Sequence, residues 1–332
     1  MSAKIKKSLI ILVIVLAVLI LAAVAIAVIP KLSADEGDEL TSLFTITDPV
    51  SVAFGGSEVE EYVLTDGTWC YAENTSWPIK QNGVTRIVER LSEIIPSRSL
   101  EVSDSLAAYG IEPAQYTLTV TDANGKSETV YIGNTAGESG VYAMTGDKDV
   151  LYILPTDSNI VSYVASTIYN MLDPELPASM GENAISEMTV SYGGKSATFT
   201  RDADNDSWSY LMEDGTYVVE EEYSAIGSDG KSHTVRKYLN DVGEVIPDVK
   251  SKGVKGYECS DAELSDMGFD DPVVLEISKT DGTFIVYRIG GSFTDDYGTE
   301  YSCFTVDGNP AVFYMPAASV APFIELVNVL GR

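Results

Sequence analysis

The chain is poor in the residues that most often carry chemistry. Among 332 residues there is one histidine, His233, and three cysteines, Cys70, Cys259 and Cys303. One histidine excludes histidine-rich zinc sites and leaves a Ser-His-Asp triad hanging on a single side chain. No Gly-x-Ser-x-Gly elbow accompanies it. An odd cysteine count excludes a complete disulfide framework. Cys259 and Cys303 fall in the same half of the chain and are able to pair, but free buried thiols are the expected state. Basic charge is equally scarce. Lys4, Lys6 and Lys7 account for three of the 21 Lys and Arg, so beyond Pro30 18 basic residues face 50 acids, a net charge of −32. That balance argues against nucleic acid, which needs a basic face, and against anionic lipid surfaces. It reads first as a highly soluble surface. Nineteen tyrosines and 45% hydrophobic residues are too many for a disordered acidic tail.

One long apolar run is present. Leu9 to Ile29 is 21 residues without a charge. At 1.5 Å per residue a helix of that length spans roughly 31 Å, enough for the hydrocarbon core of a bilayer. The run is longer than a signal-peptide core, so an uncleaved single-span anchor is expected. Its three preceding lysines keep the N-terminus cytoplasmic and send the rest across the cell membrane.

Beyond the anchor, the chain carries one pattern twice. Val52-Ala53-Phe54-Gly55-Gly56 returns as Val190-Ser191-Tyr192-Gly193-Gly194, and Trp69 as Trp208. Val84, Ile87, Val88, Leu91, Ile94, Ile95 and Pro96 return as Val235, Tyr238, Leu239, Val242, Val245, Ile246 and Pro247. Tyr109-Gly110-Ile111 with Pro113 returns as Met267-Gly268-Phe269 with Pro272. Ile132-Gly133 returns as Ile289-Gly290, and Tyr152-Ile153-Leu154-Pro155 as Phe313-Tyr314-Met315-Pro316. A unit of this length is a domain rather than a solenoid repeat.

Within each copy, Gly-Gly and Asp-Gly turns between alternating apolar residues predict hairpins. The 3.6-period stripe from Val84 to Ile95 predicts a helix ended by Pro96. His233 falls at the start of its counterpart. Leu106 to Gly110 reads as a short helix stopped by glycine, with Pro113 opening an extended strand. Further strands are expected at Thr117–Thr121, Glu128–Ile132, Val141–Met144 and Val150–Leu154. Closing helices are expected over about 157–172 and 317–330. The predicted fold is α+β: a transmembrane helix, then two tandem antiparallel-sheet-plus-helices domains. The boundaries are 1–30 for the cytoplasmic tip and anchor, 31–45 for a juxtamembrane linker, 46–172 for the first domain, 173–183 for a linker and 184–332 for the second.

At these residues the chain resembles a bacterial family, domain-of-unknown-function family 4340. The shared features are the Trp hairpin, the apolar helix, the Tyr-Gly-Ile-x-Pro turn, the strand ending in Ile132-Gly133-Asn134 and the Val150-Leu151-Tyr152-Ile153 strand. The resemblance covers nearly all of residues 40–330. It implies a single-span protein with an extracytoplasmic body, encoded in many cases beside ABC transporters of the gliding-motility type. It implies no catalytic residues and no cofactor. On that basis an accessory role in an ABC transport or envelope complex, with a protein partner there, is expected.

Two local patterns invite chemistry. Gly193-Gly194-Lys195-Ser196 mimics the end of a phosphate loop, but Thr189 stands where the pattern needs glycine, so a hairpin turn is expected. Asp202, Asp204 and Asp206 with Glu213 have the spacing of a calcium loop. Ser207 replaces its turn glycine and strand-like residues flank it, so these four are weak metal candidates beside a solvated turn. A surface protein binding calcium or a cell-wall polymer is the second functional reading. An envelope hydrolase using two of the 50 acids is the third. No catalytic residue is assigned.

Overall fold

The structure, a computed structural model, describes residues 40–176, 184–202, 207–211, 217–219, 224–226, 232–234, 251–321, 323, 324 and 327. Most of it is antiparallel sheet. The first sheet is built from β1 (Ser51–Gly55), β2 (Val59–Thr65), β3 (Thr68–Tyr71), β4 (Arg98–Leu100), β5 (Tyr116–Thr121), β6 (Ser127–Thr135), β7 (Val141–Thr145) and β8 (Leu151–Leu154). Its order is β3-β2-β1-β5-β6-β7-β8-β4. The second sheet comprises β9 (Ile185–Tyr192), β10 (Lys195–Asp202), β11 (Ser207–Leu211), β12 (Tyr217–Val219), β15 (Gly253–Tyr257), β16 (Val273–Lys279), β17 (Phe284–Thr294), β18 (Glu300–Val306) and β19 (Ala311–Pro316). Its order is β12-β11-β10-β9-β16-β17-β18-β19-β15. A separate ribbon pairs β13 (Ser224–Ile226) with β14 (Ser232–Thr234).

Leaving out β12, the two orders coincide strand for strand. In each, the first strand lies inside the sheet, and one later strand, β4 or β15, sits at the far edge beside the last strand. The sequence duplication is therefore a duplication of topology.

The period-two patterns place the core. Val52 and Phe54 of β1 stand opposite Val120 and Leu118 of β5, and all four are buried. In the second sheet Val190 and Met188 stand opposite Leu275 and Ile277, again all buried. Each such side chain contributes about 1.5–3 kcal/mol when removed from water.

Both sheets carry a bulge at the same place, between Ile132 and Thr135 in β6 and between Ile289 and Ser292 in β17. The glycines there let a turn lie on the sheet. Tyr109 accepts a hydrogen bond from Asn134 N at 2.8 Å, and Met267 accepts one from Gly291 N at 2.8 Å. A Cβ on Gly133 would come within 2.1 Å of the Tyr109 carbonyl oxygen. This contact is the physical content of the Tyr-Gly-Ile and Ile-Gly motifs.

Helix is sparse. Helix α1 (Gln81–Arg90) continues into a single 3-10 turn, Leu91–Glu93, and buries Val84, Ile87 and Leu91 as the stripe predicts. The expected closing helix at 157–172 is three pieces: a 3-10 turn at Thr156–Ser158, α2 (Ile160–Val164) and α3 (Ile168–Met171). Asn159, left-handed at φ 52°, ends the first piece, and Thr167, extended, caps the last. The expected helix at Leu106–Gly110 is a run of turns, whereas its counterpart is a true helix, α4 (Asp261–Asp266), with Ser260 and Glu263 forming a capping box. Pro113 does not open a strand, since β5 begins at Tyr116. His233 is not at a helix start either; it lies in β14, opposite Ala225.

The helix expected over 235–247, most of the last closing helix and the apolar run Leu9–Ile29 lie outside the described residues. Among the described residues no helix is long and apolar enough to cross a membrane.

By Cα proximity the chain falls into two compact units, Met1–Val59 with Arg86–Val164, and Glu60–Thr85 with Ala165–Arg332. In the first, α2 packs on β5. In the second, the Trp hairpin segment is held by backbone pairing, with Lys80 N donating to Met171 O at 2.8 Å and Asp173 N to Pro78 O at 2.8 Å. Trp77 stacks on Tyr71 at 5.4 Å, lies 4.9 Å from the Tyr257 ring and donates its Nε1–H to Glu258 at 2.9 Å.

Candidate functional site: an aromatic pocket in the second unit

Three neighbouring strands, β17, β18 and β19, place Phe293, Tyr301 and Tyr314 on one face. Phe293 pairs with Tyr301, Tyr301 with Pro316, and Cys303 with Tyr314, so strand register sets the cluster. Phe293 and Tyr301 stack at 5.6 Å with 28° between planes. Tyr314 meets both edge-on, 5.5 Å from Phe293 and 5.2 Å from Tyr301. These are the offset and edge-to-face arrangements that ring quadrupoles favour.

Lys255 comes from the edge strand β15, where a bulge between Val254 and Gly256 shifts the register. Its Nζ lies 4.2 Å from the Phe293 ring centroid, and the residue is exposed. Asp295 opens the β17–β18 turn. Its Oδ1 accepts from Tyr297 N at 3.0 Å and Thr299 N at 2.8 Å. The three rings, Lys255 and Asp295 line a pocket of about 440 Å³, completed by Val254 and by Thr167, Tyr169 and Asn170 at α3. That volume lies within the usual range for small-molecule sites. Cys303, buried opposite Tyr314, has its thiol pKa pushed up by burial while the Lys255 ammonium pulls it down.

The first copy serves as an internal comparison. Counting on from the aligned Ile-Gly pairs, Phe293 corresponds to Ala136, and Tyr314 to Ile153. Tyr301 pairs with Pro316; in the first copy Val141 pairs with Leu154, which puts Gly140 opposite Pro155. The same strands thus fold without any of the three rings.

A family model described as a domain of unknown function (DUF4340) matches residues 69–272, more than half of the chain. The chain belongs to that family. The match starts at the first Trp hairpin and ends at Pro272, the counterpart of Pro113. Neither the curated proteins nor the solved structures include a match to it.

The residues singled out from sequence do not gather at this pocket. Asp202 ends β10 and pairs with Ser207 of β11, so the calcium-spaced segment joins two strands of a hairpin rather than two helices. Asp204, Asp206 and Glu213 lie outside the described residues. Among the described residues no group of three or more His, Cys, Asp or Glu side chains is placed to hold a metal ion. Gly193-Gly194 forms the β9–β10 turn, with Lys195 paired to Tyr192, as expected of a hairpin. Cys70, Cys259 and Cys303 are free thiols, and only Cys303 is buried. Burial and the nearby Glu263 push the Cys259 thiol up, so it is no activated nucleophile.

The first unit has its own depression of about 650 Å³, lined by Leu40 to Leu43, Pro96, Glu128, Asp147 and Tyr152 among others. Glu128 is engaged there with the chain itself, accepting from Thr45 N at 2.7 Å and Ile46 N at 3.0 Å. The groove therefore reads as the seat of the 42–46 segment. Sequence reasoning missed the aromatic pocket. The signal available was the replacement of Ala136 and Ile153 by rings in the second copy.

Proposed function

We propose that the chain is a non-enzymatic binding module, anchored by one N-terminal helix with both sheet domains on the extracytoplasmic side. It serves as an accessory component of an ABC transporter or envelope complex. The observation that carries the reading is the aromatic pocket, whose three rings and lysine come from the second copy alone. A duplicated domain that keeps its topology but gains three rings and a lysine at one place has been specialised for contact there. Support for the anchor comes from the uncharged run Leu9–Ile29 behind Lys4, Lys6 and Lys7. The transporter context rests on the family resemblance.

The test is a crosslinking pull-down from native membranes with the intact chain tagged at its C-terminus, identified by mass spectrometry. Transporter or envelope subunits should be recovered with the intact chain. Recovery of no membrane protein would sink the accessory role.

A further inference from the structure

We propose that the pocket of Phe293, Tyr301 and Tyr314 receives an organic ammonium group, the trimethylammonium of a choline-type small molecule being its best fit. The inference rests on the binding-module reading and names the ligand chemistry of that site.

The first argument is the pocket's present occupant. The face of an aromatic ring is electron-rich and attracts a cation within about 6 Å of its centroid. Lys255 Nζ sits 4.2 Å above Phe293. The chain has 50 acidic residues, yet among the described residues none is ion-paired with Lys255. Its ammonium lies over a ring instead, the same contact that an alkylammonium ligand would make there. Lys255 is exposed on a flexible stem, so an incoming ligand can displace it.

The second argument is shape. Tyr314 stands at 74° to Phe293 and 81° to Tyr301, so the rings form a corner rather than a flat shelf. A flat shelf would suit a sugar ring; a corner surrounds a compact, roughly spherical cation. The third argument is charge. Asp295 lines the rim, and the net charge of −29 concentrates cations around the molecule. The same field would repel an anionic ligand. The ring positions fall on Ala136, Gly140 and Ile153 in the first copy, so the fold itself does not require them.

The experiment is calorimetric titration of the full-length chain in a maltoside detergent with choline and with 3,3-dimethyl-1-butanol, its uncharged isostere. Choline should bind, and the neutral analogue should bind about tenfold more weakly, the size of a partly desolvated cation–π contribution. Tyr301→Ala should weaken choline by about fivefold or more. Lys255→Ala should tighten it, because the competing ammonium is gone. That variant changes an exposed residue and leaves the core intact, and near-ultraviolet circular dichroism will confirm its fold. Glycerophosphocholine distinguishes the source. Tighter binding than choline assigns the group to a phosphodiester-linked headgroup, and equal or weaker binding to the free molecule. Equal affinity for the neutral analogue, or no choline binding by either the native chain or Lys255→Ala, overturns the proposal. If choline fails while the pull-down still recovers a partner, the binding-module reading stands and only the ligand chemistry falls.

Discussion

Glu128 shows how much one surface carboxylate can hold in place. Its two oxygens accept from Thr45 N, Ile46 N, the Thr45 hydroxyl and Lys126 Nζ. Burial acts to raise its pKa, but the hydrogen bonds from Lys126, Thr45 and the Ile46 backbone outweigh it and bring it down to about 2. A depressed pKa means that the folded state favours the ionised form. The stabilisation is therefore complete above the ordinary carboxylate range and is lost as pH falls toward 2. Glu128→Gln should cost about 1–2 kcal/mol at neutral pH, since charge-assisted hydrogen bonds become neutral ones. It should also flatten the stability profile between about pH 4.5 and 2, read by urea unfolding across that window. An unchanged acid slope would show that the 42–46 segment is held by other contacts. Gly133 sets a second test. Its missing Cβ leaves room for the Tyr109 carbonyl, 2.1 Å from where that atom would sit. Gly133→Ala must push the turn off the sheet and should cost about 1–3 kcal/mol, the range for overpacking. A thermal melt of the variant checks it. The Gly-containing motifs were legible in the sequence as motifs. The partner that each glycine makes room for, a carbonyl some twenty residues away, was not.

At the scale of elements, strands were more legible than helices. Apart from the start expected at Pro113, every predicted strand from Ser51 to Leu154 appears, because period-two burial and Gly-rich turns are local signals. The helix expected over 157–172 breaks into short pieces, since Asn159 turns left-handed and Thr167, in extended conformation, starts a new helix with its backbone N donating to the Asn170 side chain at 3.1 Å. Apolar spacing alone does not register such a restart. The aromatic pocket was illegible for a different reason. Its rings sit at 293, 301 and 314 on three strands, and only the register of β17 to β19 makes them neighbours. Another element-level contact lies at the edge of the first sheet. β3 is an edge strand, and the Gln81 side chain at the start of α1 pairs with its backbone as a further strand would. Gln81 Oε1 accepts from Trp69 N at 2.7 Å, and its Nε2 donates to Trp69 O at 2.8 Å. Gln81→Ala should destabilise the protein by about 1 kcal/mol, because water replaces both bonds in part. It should also speed amide exchange at Trp69, measured by hydrogen–deuterium exchange. Unchanged protection there would mean that the edge is guarded without Gln81.

At the scale of the whole molecule, the duplication is the feature that sequence and structure state most nearly alike, down to the shared strand order. Charge is the other. With 21 basic and 50 acidic residues, at least 29 acids have no basic partner even if every lysine and arginine were paired. Four pairs are seen among the described residues, and all involve at least one exposed partner. Exposed pairs contribute about 0–1 kcal/mol each, and salt weakens them. Repulsion among unpaired acids is screened by the same salt, with a Debye length that falls from about 30 Å at 0.01 M to about 8 Å at 0.15 M. The two effects have opposite signs, and the excess of acids decides between them. Raising sodium chloride from low to physiological ionic strength should therefore raise the melting temperature. Magnesium should do no more than its ionic strength requires, because nonspecific screening needs no site. A fall in melting temperature with salt would show that the few ion pairs matter more than the acidic excess. A calcium increment beyond that of magnesium at equal ionic strength would instead point to a specific site, and Asp204→Ala would locate it in the β10–β11 loop if the increment vanished.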